Sequence, residues 1–411
     1  MLAQMFISSK YPMNALLRLN PSYENVGDLA INRYEIRFLL KNEHIHKVFL
    51  VTPQLFFKGS INAEKSFIEK SVLRINDVPK GKEVLIFRDI FDLPHCKVRW
   101  MKWLKVLIYL QKLFCYIFVQ MFAIAFRLGN LFIKSDNNLL RLSGAVAISD
   151  VVLFSGGGYL NDYWWPGHLP SMLLLTLFSK LRKRHVIVFP STIGPISSLM
   201  VKLIIRILFK FVDVIYVREV FSEKFLKASL KVASDKVVKQ EDCGIQLLRE
   251  TFNKNFMSGI HENVLCVNLR PYGKSKSRYV YVMERILDRI FQSEQYGLNE
   301  IKMIVMDKSE IPFYDKLIKR ISNYCNVNVY RPYTYEEAAL MCSDCKAFIG
   351  TSFHFLMLAK FFNKPAIGII PDKYYAVKLR GLKEDFDKLV LLNMDKDSFQ
   401  YLEKFSFKFL K

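Results

Sequence analysis

The 411-residue sequence predicts an α/β protein with two Rossmann-like domains that face each other across a cleft. Short β-rich runs alternate with helix-like stretches, an order typical of parallel sheets with right-handed crossovers. The series occurs twice, on either side of a polar stretch at residues 249–263 that contains three asparagines. Since domains usually have about 100–200 residues, we expect an N-terminal domain over residues 1–250 and a C-terminal one over 251–411.

Runs of β-branched and aromatic residues mark the strands, and apolar residues three or four apart mark the helices. In the first half we expect strands at residues 15–19, 47–52, 83–87, 145–154, 185–190 and 214–217, with helices at 28–40, 173–181 and 199–211. In the second half we expect strands at residues 264–269, 301–306, 327–330, 347–349 and 366–370, with helices at 280–291 and 356–361.

Composition limits the class of protein and its ligands. With 51% apolar and 24% charged residues, the chain can bury a large core and is not disordered. Its seven cysteines are irregularly spaced and predict no disulfide framework, hence a reducing compartment. The C-x-x-C at Cys342 and Cys345 has no second pair of ligands at a matching spacing, so we predict neither a metal nor a cofactor.

Positive charge is concentrated in one region. The chain carries 60 Lys and Arg against 38 Asp and Glu, a net charge of +22. Residues 97–212 hold fifteen of these basic residues and only three acidic ones. Such a patch suits nucleic acid, an anionic membrane or a phosphate-bearing substrate. No known nucleic-acid-binding module is present, so we predict no nucleic-acid partner.

A basic, hydrophobic helical segment is expected at about residues 97–134. On a helix, one narrow polar stripe would contain Lys102, Lys105, Tyr109, Lys112, Tyr116, Gln120 and Arg127. The charge-free run at residues 113–126 is shorter than the roughly twenty residues that cross a membrane. Two interpretations stay open: an interfacial helix on an anionic membrane, or a buried helix whose polar stripe reaches solvent. The first twenty residues lack a signal-peptide core, so we predict a cytoplasmic protein. Peripheral contact with the inner face of the cytoplasmic membrane is left open by the two interpretations of the helical segment.

Polar and glycine-rich motifs follow the strands of the first half. Asn25 and Asp28 flank Gly27 before a helix, where Asp28 is either a ligand contact or the helix cap. Gly156, Gly157 and Gly158 follow a strand and allow backbone amides to approach a ligand. The next side chains are candidates for binding a sugar through hydroxyl contacts and stacking: Asn161, Asp162, Tyr163 and Trp164.

Arginines and a histidine follow other strands. Arg218 and Arg270 each end a strand, one in each predicted domain, and a guanidinium recognises carboxylate or phosphate through its planar fork. A single such arginine could instead form a structural salt bridge. Ser352 and His354 follow the strand at residues 347–349 and start a helix, where a histidine is suited to acid–base chemistry.

Taken in order, these motifs resemble the polysaccharide pyruvyltransferase family over about residues 14–371. They are Asn25-Val26-Gly27-Asp28, Gly156-Gly157-Gly158 with Asp162, Ile193-Gly194-Pro195, Val217-Arg218-Glu219 with Ser222, Leu269-Arg270, and Thr351-Ser352-Phe353-His354 followed by Pro365. Many members have an arginine where this chain has Ser352, and others have a Ser-Leu-His version that Ser352-Phe353-His354 resembles.

The resemblance implies a GT-B-like fold and transfer of pyruvate from phosphoenolpyruvate onto a sugar as a ketal. It implies an acceptor-side N-terminal domain and a donor-binding C-terminal domain. His354, Asp28 and Arg270 would be catalytic. Arg218 and Ser352 would join Arg270 and His354 at the donor, with Lys364 as a further candidate. The acceptor, a sugar or lipid-linked oligosaccharide, would meet Asn25, Asp28, Gly157, Gly158, Asn161, Asp162, Tyr163 and Trp164.

Two other functions remain open at this stage. One is a membrane-associated GT-B glycosyltransferase that uses a nucleotide-sugar, with Glu336 or Glu337 holding the donor. The other is a catalytically degenerate family member that acts as an interaction subunit.

Overall fold

The computed structural model describes residues 12–20, 25–52, 78–89, 101–252, 263–270, 276–291, 298–321 and 325–393. Within these residues the chain forms two compact units. The first contains residues 12–20 and 31–243, and the second contains residues 25–30 and those from 244 onward. The junction expected at residues 249–263 lies mostly outside the described residues.

The first unit is a parallel sheet with helices on its faces. Its strands are β1 (Met13–Arg18), β2 (Ile45–Thr52), β3 (Glu83–Arg88), β4 (Val151–Phe154), β5 (Gly157–Leu160), β6 (His185–Ile193), β7 (Val214–Val217) and β8 (Val237–Lys239). Its helices are α1 (Val26–Lys41), of which only residues from 31 onward belong to this unit, α2 (Met101–Ala125), α3 (Gly129–Phe132), α4 (Asn138–Ile148), α5 (Trp165–Leu181), α6 (Leu199–Phe211) and α7 (Val220–Lys224). The strand order is β3-β2-β1-β4-β6-β7-β8, with β5 pairing beside β6.

The second unit repeats this plan. Its strands are β9 (Val264–Asn268), β10 (Glu300–Ile304), β11 (Asn326–Tyr330), β12 (Ala347–Gly350), β13 (Ala366–Ile370) and β14 (Leu389–Asn393). Its helices are α8 (Cys243–Thr251), α9 (Lys276–Phe291), α10 (Ile311–Ile321), α11 (Tyr335–Cys342), α12 (Phe353–Phe361) and α13 (Lys373–Glu384). The strand order is β11-β10-β9-β12-β13-β14, and the pairs are parallel.

Both sheets therefore have the Rossmann order, in which the chain reverses direction next to its first strand. In the first sheet this reversal lies between β1 and β4, and in the second between β9 and β12. Ligands of such sheets bind outside the carboxyl ends of the strands at this point. The predicted fold class of two parallel-sheet α/β domains is confirmed.

One predicted strand is partly wrong. The sequence predicts a strand over residues 145–154, but residues 145–148 end α4 and only Val151–Phe154 form β4. Ala145 and Val146 are fully or almost fully buried against the sheet. An apolar run in a buried helix has the same appearance as a buried strand, so the pattern alone does not separate the two.

The hydrophobic segment forms α2, but its buried side differs from the predicted one. Tyr116 and Gln120 belong to the stripe expected to face solvent or headgroups, and both are completely buried. Phe114 and Phe118 belong to the expected apolar side, and they are 76% and 66% exposed. Tyr116 instead packs edge-on against Phe178 of α5. Among the described residues, no helix is both long and apolar enough to span a bilayer.

Candidate functional site

The candidate site in the second unit is built at the reversal point of its sheet. Arg270 lies two residues beyond β9, and Thr351 and Ser352 follow β12, the neighbouring strand. Thr351 joins the two loops, because its hydroxyl accepts a hydrogen bond from the Arg270 backbone N–H at 2.7 Å and donates to the Arg270 carbonyl at 3.2 Å. The Ser352 N–H donates to the Asn268 side-chain oxygen at 3.2 Å. These bonds fix the backbone on which Arg270 stands.

The turn before α1 belongs to this unit. Asn25 forms a β-bridge with Asp307, and the Val26 N–H donates to the Met306 carbonyl at 2.9 Å. The Asn25 side-chain oxygen accepts hydrogen bonds from the backbone N–H groups of Gly27 and Asp28, at 2.9 and 3.3 Å. Asn25 is therefore the helix cap, and the alternative role of Asp28 as the cap is wrong. Asp28 lies in the first turn of α1 and is 8% exposed.

Gly27 lies directly against the ring of His354. A Cβ built on Gly27 would be 2.1 Å from Cγ of His354 and 2.3 Å from its Nδ1. His354 is 4% exposed and lies in the first turn of α12. Its carbonyl accepts a hydrogen bond from the Tyr335 hydroxyl at 2.7 Å. The structure thus brings the Asn25–Asp28 turn, His354 and the loop bearing Arg270 together within one unit.

Arg270 lies among acidic groups. Its Nη2 contacts Oδ2 of Asp307 at 2.8 Å, and its side chain is 21% exposed. Burial lowers the pKa of Arg270, but nearby Tyr375, Asp307, Glu310 and Asp28 raise it above its ordinary value. The guanidinium therefore stays charged while partly exposed, which suits a carboxylate or phosphate ligand.

Glu310 lies behind this cation. Its Oε2 accepts hydrogen bonds from the Met306 N–H at 2.8 Å and the Asn268 amide at 3.0 Å. Burial raises the pKa of Glu310 to about 8, although Arg270 opposes the shift. Glu310 is thus mainly protonated at neutral pH.

Four residues of this site are not among those predicted from the sequence: Asp307, Glu310, Thr351 and Tyr375. Asp307 could have been predicted from the sequence, since it comes directly after the strand predicted at residues 301–306, where side chains of the site are expected. For Tyr375 the sequence gives no such indication, because it lies on α13, far along the chain from Arg270, whose pKa it raises.

Arg218, in the first unit, is held by a buried ion pair. Its Nη1 lies 2.7 Å from Oδ2 of Asp242, and its Nε donates to the Thr192 hydroxyl at 2.7 Å. Both side chains of the ion pair are 1% exposed. The sequence allowed a strand-end arginine either to bind a ligand or to form a structural salt bridge, and Arg218 forms such a salt bridge. Contact between Arg218 and a donor stays a prediction.

The glycine-rich loop of the first unit is explained by its own packing. A Cβ on Gly156 would lie 2.4 Å from the Pro190 carbonyl oxygen, and Gly157 has a φ of +122°. Gly157 and Gly158 begin β5, and the Gly156 N–H donates to Oε1 of Glu35 at 2.8 Å. The close approach that these glycines permit is thus to β6 and α1. Their contact with an acceptor stays a prediction.

Asn161 and Asp162 stabilise the backbone around them. Asn161 donates to the Gly158 carbonyl at 2.7 Å, and its side-chain oxygen accepts from the Tyr163 and Trp164 N–H groups at 2.8 and 3.1 Å. Oδ2 of Asp162 accepts from the Ser197 N–H at 2.6 Å, just before α6.

Tyr163 is 65% exposed, and its ring packs edge-on against Trp164 with centroids 5.0 Å apart. This exposed pair offers a surface on which a sugar could stack. Its contact with a sugar stays a prediction.

The remaining candidates have structural surroundings. Glu337 accepts a hydrogen bond from the Tyr333 N–H at 2.8 Å and lies in the first turn of α11. Cys342 is buried with its Sγ 3.3 Å from Sγ of Cys266. Across the described ranges, His, Cys, Asp and Glu form no group suited to a metal.

Comparisons with known proteins agree with this architecture. The family model described as polysaccharide pyruvyl transferase matches residues 25–373. No curated protein matches the chain significantly.

Solved structures support the fold alone, since their sequences are distant. The UDP-GlcNAc 2-epimerase of Neisseria meningitidis bound to UDP-GlcNAc has a TM-score of 0.54 and 11% identity, covering 97% of this chain and 93% of its own. The UDP-GlcNAc 2-epimerase of Methanocaldococcus jannaschii has a TM-score of 0.52 and 12% identity, covering 96% and 92%. A glycosyltransferase of Rickettsia africae has a TM-score of 0.50 and 10% identity, covering 96% and 87%. These neighbours are GT-B-like, which confirms the expected fold.

Proposed function

Because the chain belongs to the polysaccharide pyruvyl transferase family, we propose that it transfers pyruvate from phosphoenolpyruvate onto a sugar of a cell-surface polysaccharide. The product is a cyclic ketal, and the acceptor is a lipid-linked oligosaccharide. We further propose that the enzyme works in the cytoplasm, at the inner face of the membrane that carries this acceptor.

One observation carries the proposal: Arg270, His354 and the Asn25–Asp28 turn gather at the strand ends of a single unit. Phosphoenolpyruvate has a carboxylate and a phosphate, and Arg270 is a fixed, partly exposed cation suited to either group. Ser352 begins α12 beside it, where backbone N–H groups at a helix start favour an anion.

The reaction needs one proton to enter and two hydroxyl protons to leave. Protonation of the methylene carbon forms the methyl group and an oxocarbenium-like centre at C2. One sugar hydroxyl attacks this centre, phosphate leaves with the C2–O bond electrons, and the second hydroxyl closes the ketal. His354 is the proposed acid, Asp28 is the proposed base for one hydroxyl proton, and the leaving phosphate takes up the other.

The experiment is phosphate release from phosphoenolpyruvate in the presence of a lipid-linked oligosaccharide, with ketal detected by mass spectrometry. We expect His354→Ala to lower turnover by about 10²–10⁴-fold, as loss of an acid–base group usually does. Arg270→Gln should raise the KM for phosphoenolpyruvate. Lys360→Gln, on the last turn of α12, is the matched control and should retain activity.

Three results would contradict the proposal. The first is turnover of His354→Ala within about threefold of wild type, because loss of an acid–base group usually costs far more. The second is sugar transfer from a nucleotide-sugar without use of phosphoenolpyruvate. The third is that calorimetry detects no binding of phosphoenolpyruvate. The second would favour a glycosyltransferase, and the third an interaction subunit.

A further inference from the structure

One face of the first sheet is covered by a layer of helices. The helices α2, α4, α5 and α6 all contribute side chains to the same core cluster. Examples are Tyr116, Leu142, Phe178 and Ile205. The helices therefore cover the same face of the sheet, and the surfaces that they turn away from the sheet lie on one side of the unit.

The outer side of α2 exposes a row of phenylalanines, here called the phenylalanine ladder. Phe114, Phe118, Phe122 and Phe126 recur every four residues and are 76%, 66%, 42% and 62% exposed. The ring centroids of Phe118 and Phe122 are 6.3 Å apart, and those of Phe122 and Phe126 are 4.5 Å apart. A continuous exposed aromatic row is unusual on a soluble protein and marks an interaction surface.

The outer side of α6 carries a second apolar row, here called the α6 stripe. Leu199, Leu203 and Ile207 are again four residues apart, and they are 81%, 56% and 39% exposed. Arg206 and Lys210 lie exposed beside them on the same helix. Long apolar side chains next to basic ones are typical of helices that lie in a membrane interface.

A basic groove adjoins the α6 stripe. It has a volume of about 450 Å³ and is lined by Arg206, Ile207, Phe209, Lys210, Leu230, Lys231, Val232, Ala233 and Lys236. Four of these residues are basic and none is acidic. The Lys236 ammonium donates to the carbonyls of Lys210 and Val212, both at 2.9 Å, which keeps this cation at the groove.

We propose that the phenylalanine ladder, the α6 stripe and the basic groove form one docking surface for an anionic lipid bilayer. The apolar rows would enter the boundary between headgroups and acyl chains, and the groove would bind lipid phosphates. This inference does not rest on the proposed transferase reaction.

Charge selects the bilayer over a second copy of the chain. Residues 111–135 and 199–212 contain six Lys and Arg in total and no Asp or Glu. Two copies joined through this surface would bring like charges together, whereas anionic lipids neutralise them. The basic residues therefore match a lipid partner.

The test is co-sedimentation of the full chain with vesicles. We expect binding to vesicles with about 30% phosphatidylglycerol, little binding to pure phosphatidylcholine, and weakening by salt. Phe118→Ser combined with Phe122→Ser should weaken binding at least about tenfold, because burying one phenylalanine is worth roughly that factor. The matched control is Tyr333→Ser, which alters an 85% exposed aromatic of the second unit and should bind as wild type does.

A second variant tests the groove separately from the apolar rows. Lys210→Gln with Lys231→Gln should weaken binding to anionic vesicles roughly thirtyfold, since each basic residue near the surface contributes about 1 kcal/mol. The little binding to phosphatidylcholine should stay unchanged. Both double variants should unfold at the wild-type temperature. The proposal is overturned if wild type ignores anionic vesicles, if the phenylalanine variant binds like wild type, or if light scattering finds a dimer that the same variant dissociates.

Discussion

At the scale of single residues, the candidate site depends on side chains that hold other side chains. Thr351 is the clearest case, because its hydroxyl bonds both the N–H and the carbonyl of Arg270. It connects the ends of β9 and β12, the two strands at the reversal point of the second sheet. Thr351 is therefore a positioning residue for the proposed donor contact of Arg270.

We expect Thr351→Val to raise the KM for phosphoenolpyruvate about three- to tenfold, since a net hydrogen bond is worth about 0.5–1.5 kcal/mol. Thr351→Ser keeps the hydroxyl and should restore the wild-type KM. Steady-state kinetics on both variants checks this. Equal KM values for Thr351→Val and wild type would mean that the loop holds Arg270 without this bond.

Gly27 limits what can lie beside His354. Because a Cβ at this position would overlap the imidazole ring, Gly27→Ala should shift the turn and lower the free energy of unfolding by about 1–3 kcal/mol. Gly368→Ala is a matched control in the same unit, since its nearest neighbours are leucine methyl groups at 3.0–3.3 Å. Urea unfolding of both variants measures the difference, and equal stabilities would show that the turn has room for a methyl group.

At the scale of elements, helix starts determine where several candidate side chains lie. Asn25 caps α1, so Asp28 is placed in its first turn within the second unit. Ser198 caps α6, and Asp162 bonds the residues just before that helix. One carboxylate thus lies near Arg270, while the other holds a helix start of the first unit.

Asp162→Ala should lower the stability of the first unit by about 1.5–3 kcal/mol, because a charged acceptor of backbone hydrogen bonds is lost. The KM for the acceptor sugar separates this role from sugar binding. An unchanged KM with a lower unfolding temperature is expected for a purely structural residue. Ser198→Ala removes only the cap of α6 and is the control for stability, whereas a raised acceptor KM in Asp162→Ala alone would support the predicted sugar contact.

At the scale of the whole molecule, the described part of each unit buries a carboxyl whose pKa is raised. Burial raises the pKa of Glu35 in the first unit and of Glu310 in the second to about 8. Between the ordinary glutamate pKa and pH 8, these two carboxyls therefore bind more protons in the folded state than in the unfolded state. By linkage, their contribution to the free energy of unfolding falls as the pH rises through this range.

Glu35→Gln and Glu310→Gln should each flatten this decline by up to about 1.4 kcal/mol per pH unit, because the amide mimics the neutral acid. Urea unfolding between about pH 5 and pH 8 measures the slopes, because this range runs from near the ordinary glutamate pKa to the raised pKa of about 8. Glu35→Gln should change the pH dependence of unfolding of the first unit, and Glu310→Gln that of the second. Slopes that match wild type would mean that the carboxyls ionise without cost in the folded protein.

Much of the fold was predictable because it depends on local patterns. The helix at Leu199–Phe211 and the strands at Val214–Val217 and Ala366–Ile370 have the predicted bounds. The strand β5 was missed because two of its four residues are glycine, which is depleted in strands, and β8 because three residues carry too little periodicity. The site was predictable only where a residue follows a strand, as Arg270 and Ser352 do.

The sequence by itself determined two series of parallel strands and the residues at their carboxyl ends, because alternation and strand endings are local properties. Only the tertiary structure decided that the Asn25–Asp28 turn joins the second unit, that Asp307 pairs with Arg270, and that the phenylalanine ladder stays exposed. These features depend on contacts between residues far apart in the chain. In a largely apolar helix the local sequence does not indicate which side faces the core. On α2 the buried side was therefore determined by tertiary packing.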